Sequence, residues 1–213
     1  LNNLVDRHNR SYFGLEFSYC TIPNELVPFD YQTFEAFPGH VEAGVTNLET
    51  GQAEYKEVTT EDKHFRLLQA TCAMPLMFPV FHLDGKPYLD GGAADAVPYR
   101  RAFVQGCDRV VVILTKPRSF VRKPERLLPL IQRRYREYPN FCRTMEERPE
   151  RDNRSRAELF RLEKEGKALV IAPNTLHGVG RIEHNVDKLR MLWAEGYQQG
   201  MENMEQIRSF MDR

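Results

Sequence analysis

Two short stretches alternate apolar and polar residues with a period of two. They are "HVEAGVTNLE" at 40–49 and "QAEYKEV" at 52–58. Thr50-Gly51 lies between them, so the pattern predicts an antiparallel hairpin. Phe65, Leu68 and Cys72 then recur at helical spacing, which predicts a helix over Glu61–Cys72 with Thr59 or Thr60 as its cap. Pro75 and Pro79 exclude a helix from the next stretch. Val80–Leu83 and Tyr88–Leu89 flank Asp84-Gly85, which predicts a second hairpin whose Asp and Gly supply positive φ. Pro98 opens a short helix that Gly106 ends, and "DRVVVILT" follows as a continuous apolar strand. Strand, helix and buried strand in that order is the pattern of a crossover in a parallel sheet.

Further helices are expected over Leu127–Tyr138 and Ser155–Lys167, with a strand "ALVIAP" at 168–173. A long helix is expected from Asn185 to about Phe210, carrying Leu189, Leu192, Trp193, Met204 and Ile207. Gly196 and Gly200 weaken its middle by about 1 kcal/mol each, which predicts a kink there. The first forty residues hold eight aromatics interrupted by Pro23, Pro28 and Pro38, so long elements are not expected there. Together these elements predict one α/β domain over residues 1–213.

Composition narrows the classes. The chain has 213 residues, 41% of them hydrophobic and 28% charged, which is ordinary for a globular protein. Net charge is zero, so no overall basic field argues for nucleic acid. No apolar run reaches the length of a membrane-spanning helix. The four cysteines, Cys20, Cys72, Cys107 and Cys142, are scattered without metal-ligand spacing, and the histidines show no paired motif. Reduced thiols, a cytoplasmic setting and no metal or cofactor are the expectations. Residues 116–156 are locally basic, with thirteen Lys/Arg against six Asp/Glu. This stretch reads as a solvated helical face. If it binds anything, a lipid surface fits better than RNA, because no base-stacking motif accompanies it.

The stretch "PYLDGGAAD" carries the candidate chemistry. Asp90 ends a short apolar run and is followed by Gly91-Gly92, not by a returning strand. An acid at the carboxyl end of a strand is where α/β sheets place reacting groups. The glycines would permit positive φ, or a close approach of another backbone or a substrate. Cys72 with His64 or His82 is a rival nucleophile pair. On one helix, however, His64 and Cys72 would stand ~12 Å apart, and a buried structural thiol is the plainer reading. The "GVGRIE" segment between His177 and His184 lacks the third glycine of a nucleotide loop.

The ordered set "AMPLMFP", the Asp84-Gly85 hairpin, Asp90-Gly91-Gly92, Pro98 and "GCDRVVVILTKP" resembles the bacterial branch of the patatin-like phospholipase family. "VTNLETGQAEY", "ALVIAP" and the Tyr197–Gly200 pattern extend the resemblance from about Phe29 to the C-terminus. It implies a three-layer α/β/α sandwich with a mainly parallel central sheet. It also implies a lipid acyl hydrolase with a Ser-Asp dyad, in which Asp90 is the acid/base and Gly91 and Gly92 complete the motif. The implied substrate is a lipid ester, met in the cytoplasm or at a membrane surface. None of the five serines (Ser11, Ser18, Ser119, Ser155, Ser209) stands in G-x-S-x-G, and no glycine-rich oxyanion loop precedes them. In the family both lie N-terminal to this region, and the first residue is Leu1. The expectation is therefore a C-terminal portion that lacks the nucleophile, is inactive alone, and self-associates through open strand edges. The other function class is a non-enzymatic lipid-binding or interaction domain on the same scaffold.

Overall fold

A computed structural model describes residues 14–180 and 182–212. These fall into two compact units. The first comprises residues up to Ala96 together with Lys123–Arg151, and the second comprises Val97–Arg122 and Asp152 onward.

The first unit is built on a four-stranded sheet. Its strands are β1 (Glu42–Asn47), β2 (Ala53–Glu57), β3 (Phe81–Leu83) and β4 (Lys86–Asp90), in the order β2-β1-β4-β3. Both expected hairpins are present, and every pairing is antiparallel. The expectation of a mainly parallel sheet is corrected here. Short turns force the β1–β2 and β3–β4 pairs to be antiparallel, and β4 lies antiparallel to β1 as well, so the four strands contain no parallel pair. Asp84 and Gly85 have φ of 52° and 77°, so this pair makes the turn as its sequence predicts.

Alternation along β4 puts helices on both faces of this sheet. Tyr88 joins Ala43 and Val45 under α2 (Arg66–Thr71), whose Leu67 and Ala70 are buried there. Leu89 joins Leu48 on the other face, against Ile131 of α4 (Leu128–Arg134) and Phe141 and Met145 of α5 (Pro139–Lys164). Helix α2 is shorter than expected and has no threonine cap. It starts from Phe65 at φ 50°, and Asp62 Oδ2 accepts from the Leu67 N–H at 3.0 Å. Before the sheet come a ten-residue π-helical segment, Phe17–Leu26, and the short α1 (Tyr31–Ala36). The π-helical segment contradicts the expectation of irregular chain. Pro23 sits inside it, and the looser i→i+5 pattern survives one missing donor, as the Val27 N–H to Ile22 oxygen bond at 2.8 Å illustrates.

The second unit holds the one parallel pair among the described strands. β5 (Val110–Ile113) lies beside β6 (Ala168–Ile171) in register Val110↔Ala168 to Ile113↔Ile171. Val110, Val112 and Leu114 pack with Leu159, Val170 and Tyr99 of α3 (Tyr99–Val104). The helix expected at Ser155–Lys167 is the tail of α5, a single helix of 26 residues that runs through Pro149. The C-terminal helix divides into α6 (Val186–Glu202) and α7 (Met204–Met211). It breaks at Asn203 and not at the glycines. The Asn203 side chain donates to the Gln199 carbonyl at 2.7 Å, competing with the backbone ladder. No described helix is long and apolar enough to cross a membrane.

Candidate active site

Asp90 is the last residue of β4 and the cap of a single 3₁₀ turn, Gly91–Ala93. Its Oδ1 accepts the Gly92 N–H at 2.7 Å. Its own N–H donates to the Ala73 carbonyl at 2.9 Å, and its carbonyl accepts from Thr46 Oγ1 at 2.8 Å. The same Thr46 hydroxyl accepts the Ala94 N–H at 3.1 Å, so one fully buried side chain clasps both ends of the turn. The residue is half-buried, with two of these bonds on its backbone and one on its carboxylate.

Of the two reasons the sequence offered for the glycines after Asp90, positive φ and close backbone approach, only the second is found. Neither has positive φ. A β-carbon on Gly91 would stand 2.1 Å from the Gly44 carbonyl oxygen of β1, so the requirement is close backbone approach. Thr71 Oγ1 of α2 donates to that same Gly44 carbonyl. A β-carbon on Gly92 would lie 3.0 Å from Asp90 Oδ1 and 3.6 Å from Arg148 Nη2 of α5. A guanidinium therefore borders the candidate carboxylate. Gly44, Thr46, Thr71 and Arg148 were not singled out in the sequence. Thr46 reads as an ordinary strand residue, and Arg148 is hidden among the many arginines of 116–156.

Beside the turn lies a second polar group. Glu54 of β2 accepts from the Tyr88 hydroxyl at 2.6 Å and from Asn47 Nδ2 at 2.7 Å. Burial raises the Glu54 carboxyl, but these two bonds and the nearby Lys86 and Lys56 outweigh it, and the group ends below its ordinary range. Burial and the Glu54 charge push the Tyr88 phenol upward. Both groups are thus held in their ordinary charge states near neutral pH, as a structural brace and not an acid–base pair.

The thiol alternative gains no support from Cys72. His64 Nδ1 lies instead 3.4 Å from the Cys20 sulfur, across 44 residues that no sequence motif links. Burial, then the Glu16 and Asp62 carboxylates, push the Cys20 thiol above its ordinary range, the opposite of an activated nucleophile. Among the described residues no three His, Cys, Asp or Glu gather into a metal-holding group. Ser11, Tyr12 and Phe13 lie outside the described residues. Ser18 is in the π-helical segment, Ser119 follows β5, Ser155 lies in α5 and Ser209 in α7.

Several arginines of the basic stretch work inside the protein. Arg118 holds Glu163 through two bonds of 2.7 and 2.6 Å and also donates to the Val170 carbonyl at 2.6 Å. Arg122 pairs with buried Asp152. Buried Arg156 donates to the Pro117 carbonyl at 2.7 Å and stacks on Phe120 and Phe160 at 5.6 and 5.5 Å. The expected solvated face holds at exposed Arg118, which still tethers Glu163, but not at half-buried Arg122 and buried Arg156, which act as internal staples. Beyond the carboxyl ends of β5 and β6 lies an open cavity of about 350 Å³, bordered by Arg118, Ser119, Ala172, Asn174 and Gln199.

Residues 4–103 match the family model described as Patatin-like phospholipase. Residues 138–212 match a second model, Domain of unknown function (DUF6363), which takes in nearly all of α5, β6, α6 and α7. No curated protein matches the chain at a significant level.

Proposed function

We propose, from the match of residues 4–103 to the Patatin-like phospholipase model, that Asp90 is the proton-transfer carboxylate of a Ser-Asp dyad that cleaves lipid esters. The family at large is one of lipid hydrolases. The observation that carries the reading is the fixing of Asp90 at the end of β4 by Thr46, Ala73 and Gly92. A carboxylate with an ordinary pKa near ~4 is a weak base for a hydroxyl. It succeeds only if it is held in line with the hydroxyl and partly desolvated; the half-burial of Asp90 and its fixed turn support this reading.

In the proposed cycle, a serine Oγ attacks the ester carbonyl while Asp90 takes its proton. The alcohol leaves with that proton, and an acyl-serine remains. Water then attacks the acyl-serine, Asp90 accepts a proton from it, and the fatty acid departs as the serine is reprotonated. The 213 residues contain no G-x-S-x-G, so we place the serine and the oxyanion donors on polypeptide outside this sequence. This chain by itself then turns over no ester.

The test is Asp90→Asn in the complete reading frame, assayed on phospholipid and on simple acyl esters. A loss of ~10²–10⁴-fold in turnover at unchanged fold is expected. Unchanged turnover, or turnover by the 213-residue chain that Asp90→Asn abolishes, overturns this assignment.

A further inference from the structure

Helix α6 is mounted with its polar side inward. Its less exposed positions are Lys188, Leu192, Glu195, Gln199, Gly200 and, at the break, Asn203. Leu192 and Gly200 apart, these are polar, and the polar ones make the attachments. Gln199 Nε2 donates to the Ala172 carbonyl at 2.9 Å, Glu195 pairs with His177 at 2.5 Å, and Lys188 with Glu183 at 3.9 Å. Asn185 fixes the start of the helix by accepting the Asp187 and Lys188 N–H groups. Most of the apolar residues face the other way, Leu192 and Met191 excepted. Val186, Leu189, Trp193, Tyr197 and Met201 are all exposed. At ~100° per residue they share a sector roughly 120° wide. Trp193 is 70% and Tyr197 62% exposed, and their rings stack at 5.6 Å. Exposed Met204 and Met211 continue the apolar surface onto α7.

We propose that this stripe is a docking surface for a lipid–water interface. The choice of occupant rests on the lipid-hydrolase reading above and on three further observations. First, tryptophan and tyrosine at the centre, with methionines beyond, is the composition that settles at the boundary between head groups and acyl chains. Second, α6 is 17 residues long, so the stripe is ~25 Å long and one helix face wide. It offers a few hundred Å², well short of the ~800 Å² per partner of a stable protein pair, yet it suits shallow insertion into a flat surface. Third, α6 and α7 together carry four acids and three bases, so attraction to anionic head groups is not the driving force. Arg190 is the one charge within the sector. It reaches back to Asp187 at 3.5 Å and is long enough to keep its head group in water.

Trp193 is the single tryptophan of the chain and reports on this surface directly. The experiment titrates the 213-residue chain with phosphatidylcholine vesicles and follows tryptophan emission. It is repeated with brominated lipid as a quencher and at low and high salt. Expected are a blue shift, quenching by the brominated lipid, and little change with salt. Tyr197→Glu with Met201→Glu should weaken binding by at least roughly tenfold, whereas Gln198→Lys, outside the sector, should not. Binding equal to that of the unaltered chain in the double variant overturns the proposal. So does emission already blue and shielded from acrylamide at the lowest protein concentration, which means the chain covers the stripe itself. A blue shift that grows with protein concentration in the absence of lipid assigns the surface to a second copy instead. Binding confined to anionic vesicles and lost in salt assigns it to the basic residues. Asp90→Asn should dock like the unaltered chain, so docking and ester hydrolysis fail or hold separately.

Discussion

The carbonyl oxygen of Gly44 occupies the space that a β-carbon on Gly91 would need. That contact ties the candidate motif to the neighbouring strand through backbone alone. Gly91→Ala should therefore destabilise the fold by about 3 kcal/mol, since neither partner is a side chain that can swing away. Gly92→Ala meets only side-chain ends, the Asp90 carboxylate and the Arg148 guanidinium, and should cost about 1 kcal/mol. Urea denaturation of the two variants distinguishes them. Equal stabilities would show that β1 and β4 can separate locally.

The Gly92 N–H bond to Asp90 makes a second comparison informative. Asparagine keeps an oxygen at the position of Oδ1, and alanine does not. Asp90→Ala should thus be less stable than Asp90→Asn by about 1 kcal/mol, the usual worth of such a cap. On the proposed mechanism both should lose ester turnover wherever the serine is supplied. A variant that loses turnover while keeping this bond separates the chemical role of Asp90 from its structural one.

These two residues also show how far the sequence could be read. The hairpin at Asp84-Gly85 was legible because a tight turn demands positive φ, and few residues other than Gly, Asn and Asp accept it. Asp90 was legible as a strand-end acid. Close backbone approach was legible as one reason for its glycines, but not which backbone approaches, because Gly44 lies 47 positions from Gly91. The parallel sheet was expected from a continuous apolar strand after a helix. That pattern describes β5 correctly but says nothing about which strand lies beside it, and β5 pairs with β6 and not with β4. The first part of α5 was not read as helix at all, the expected helix beginning only at Ser155, whereas tertiary packing along Phe141, Met145 and Leu159 supports one helix from Pro139 through Pro149. The amphipathic pattern of α6 was visible in the sequence, but periodicity alone does not say which face turns inward.

Glu163 gives a pH-dependent test. The Arg118 guanidinium, working against burial, holds its carboxyl below the ordinary value near 4.5. A carboxyl with a lowered folded-state pKa contributes stability that is present above the unfolded value. That contribution is lost as pH falls through the lower folded value. Stability of the unaltered chain should therefore decline below about pH 4.5. In Glu163→Gln the decline should be shallower, with lower stability at neutral pH. Denaturation midpoints taken across that range check the slope, and parallel curves would rule this linkage out.

Arg156 tests the role of the basic stretch. It is buried, bonds the Pro117 carbonyl and lies on two phenylalanine rings. Arg156→Ala removes both the bond and the packed stem and should cost about 3 kcal/mol. Arg156→Met keeps the stem and should cost clearly less. If the residue instead served an external ligand, both variants would fold as stably as the unaltered chain.

The two Asp-Gly pairs differ in how they age. Isomerisation of aspartate begins when the next residue's amide nitrogen attacks the side-chain carboxyl carbon, and a following glycine offers no steric protection. Asp84 is exposed, and nothing lies within 4 Å of a β-carbon position on Gly85, so this turn is free to sample the reactive geometry. Asp90 has its carboxylate tied to Gly92, and Gly91 is pinned against Gly44. Stored protein should therefore accumulate an isoaspartyl bond at the hairpin and leave the candidate catalytic residue chemically intact. The extra backbone methylene at Asp84 would loosen the turn that sets the register between Leu83 and Lys86.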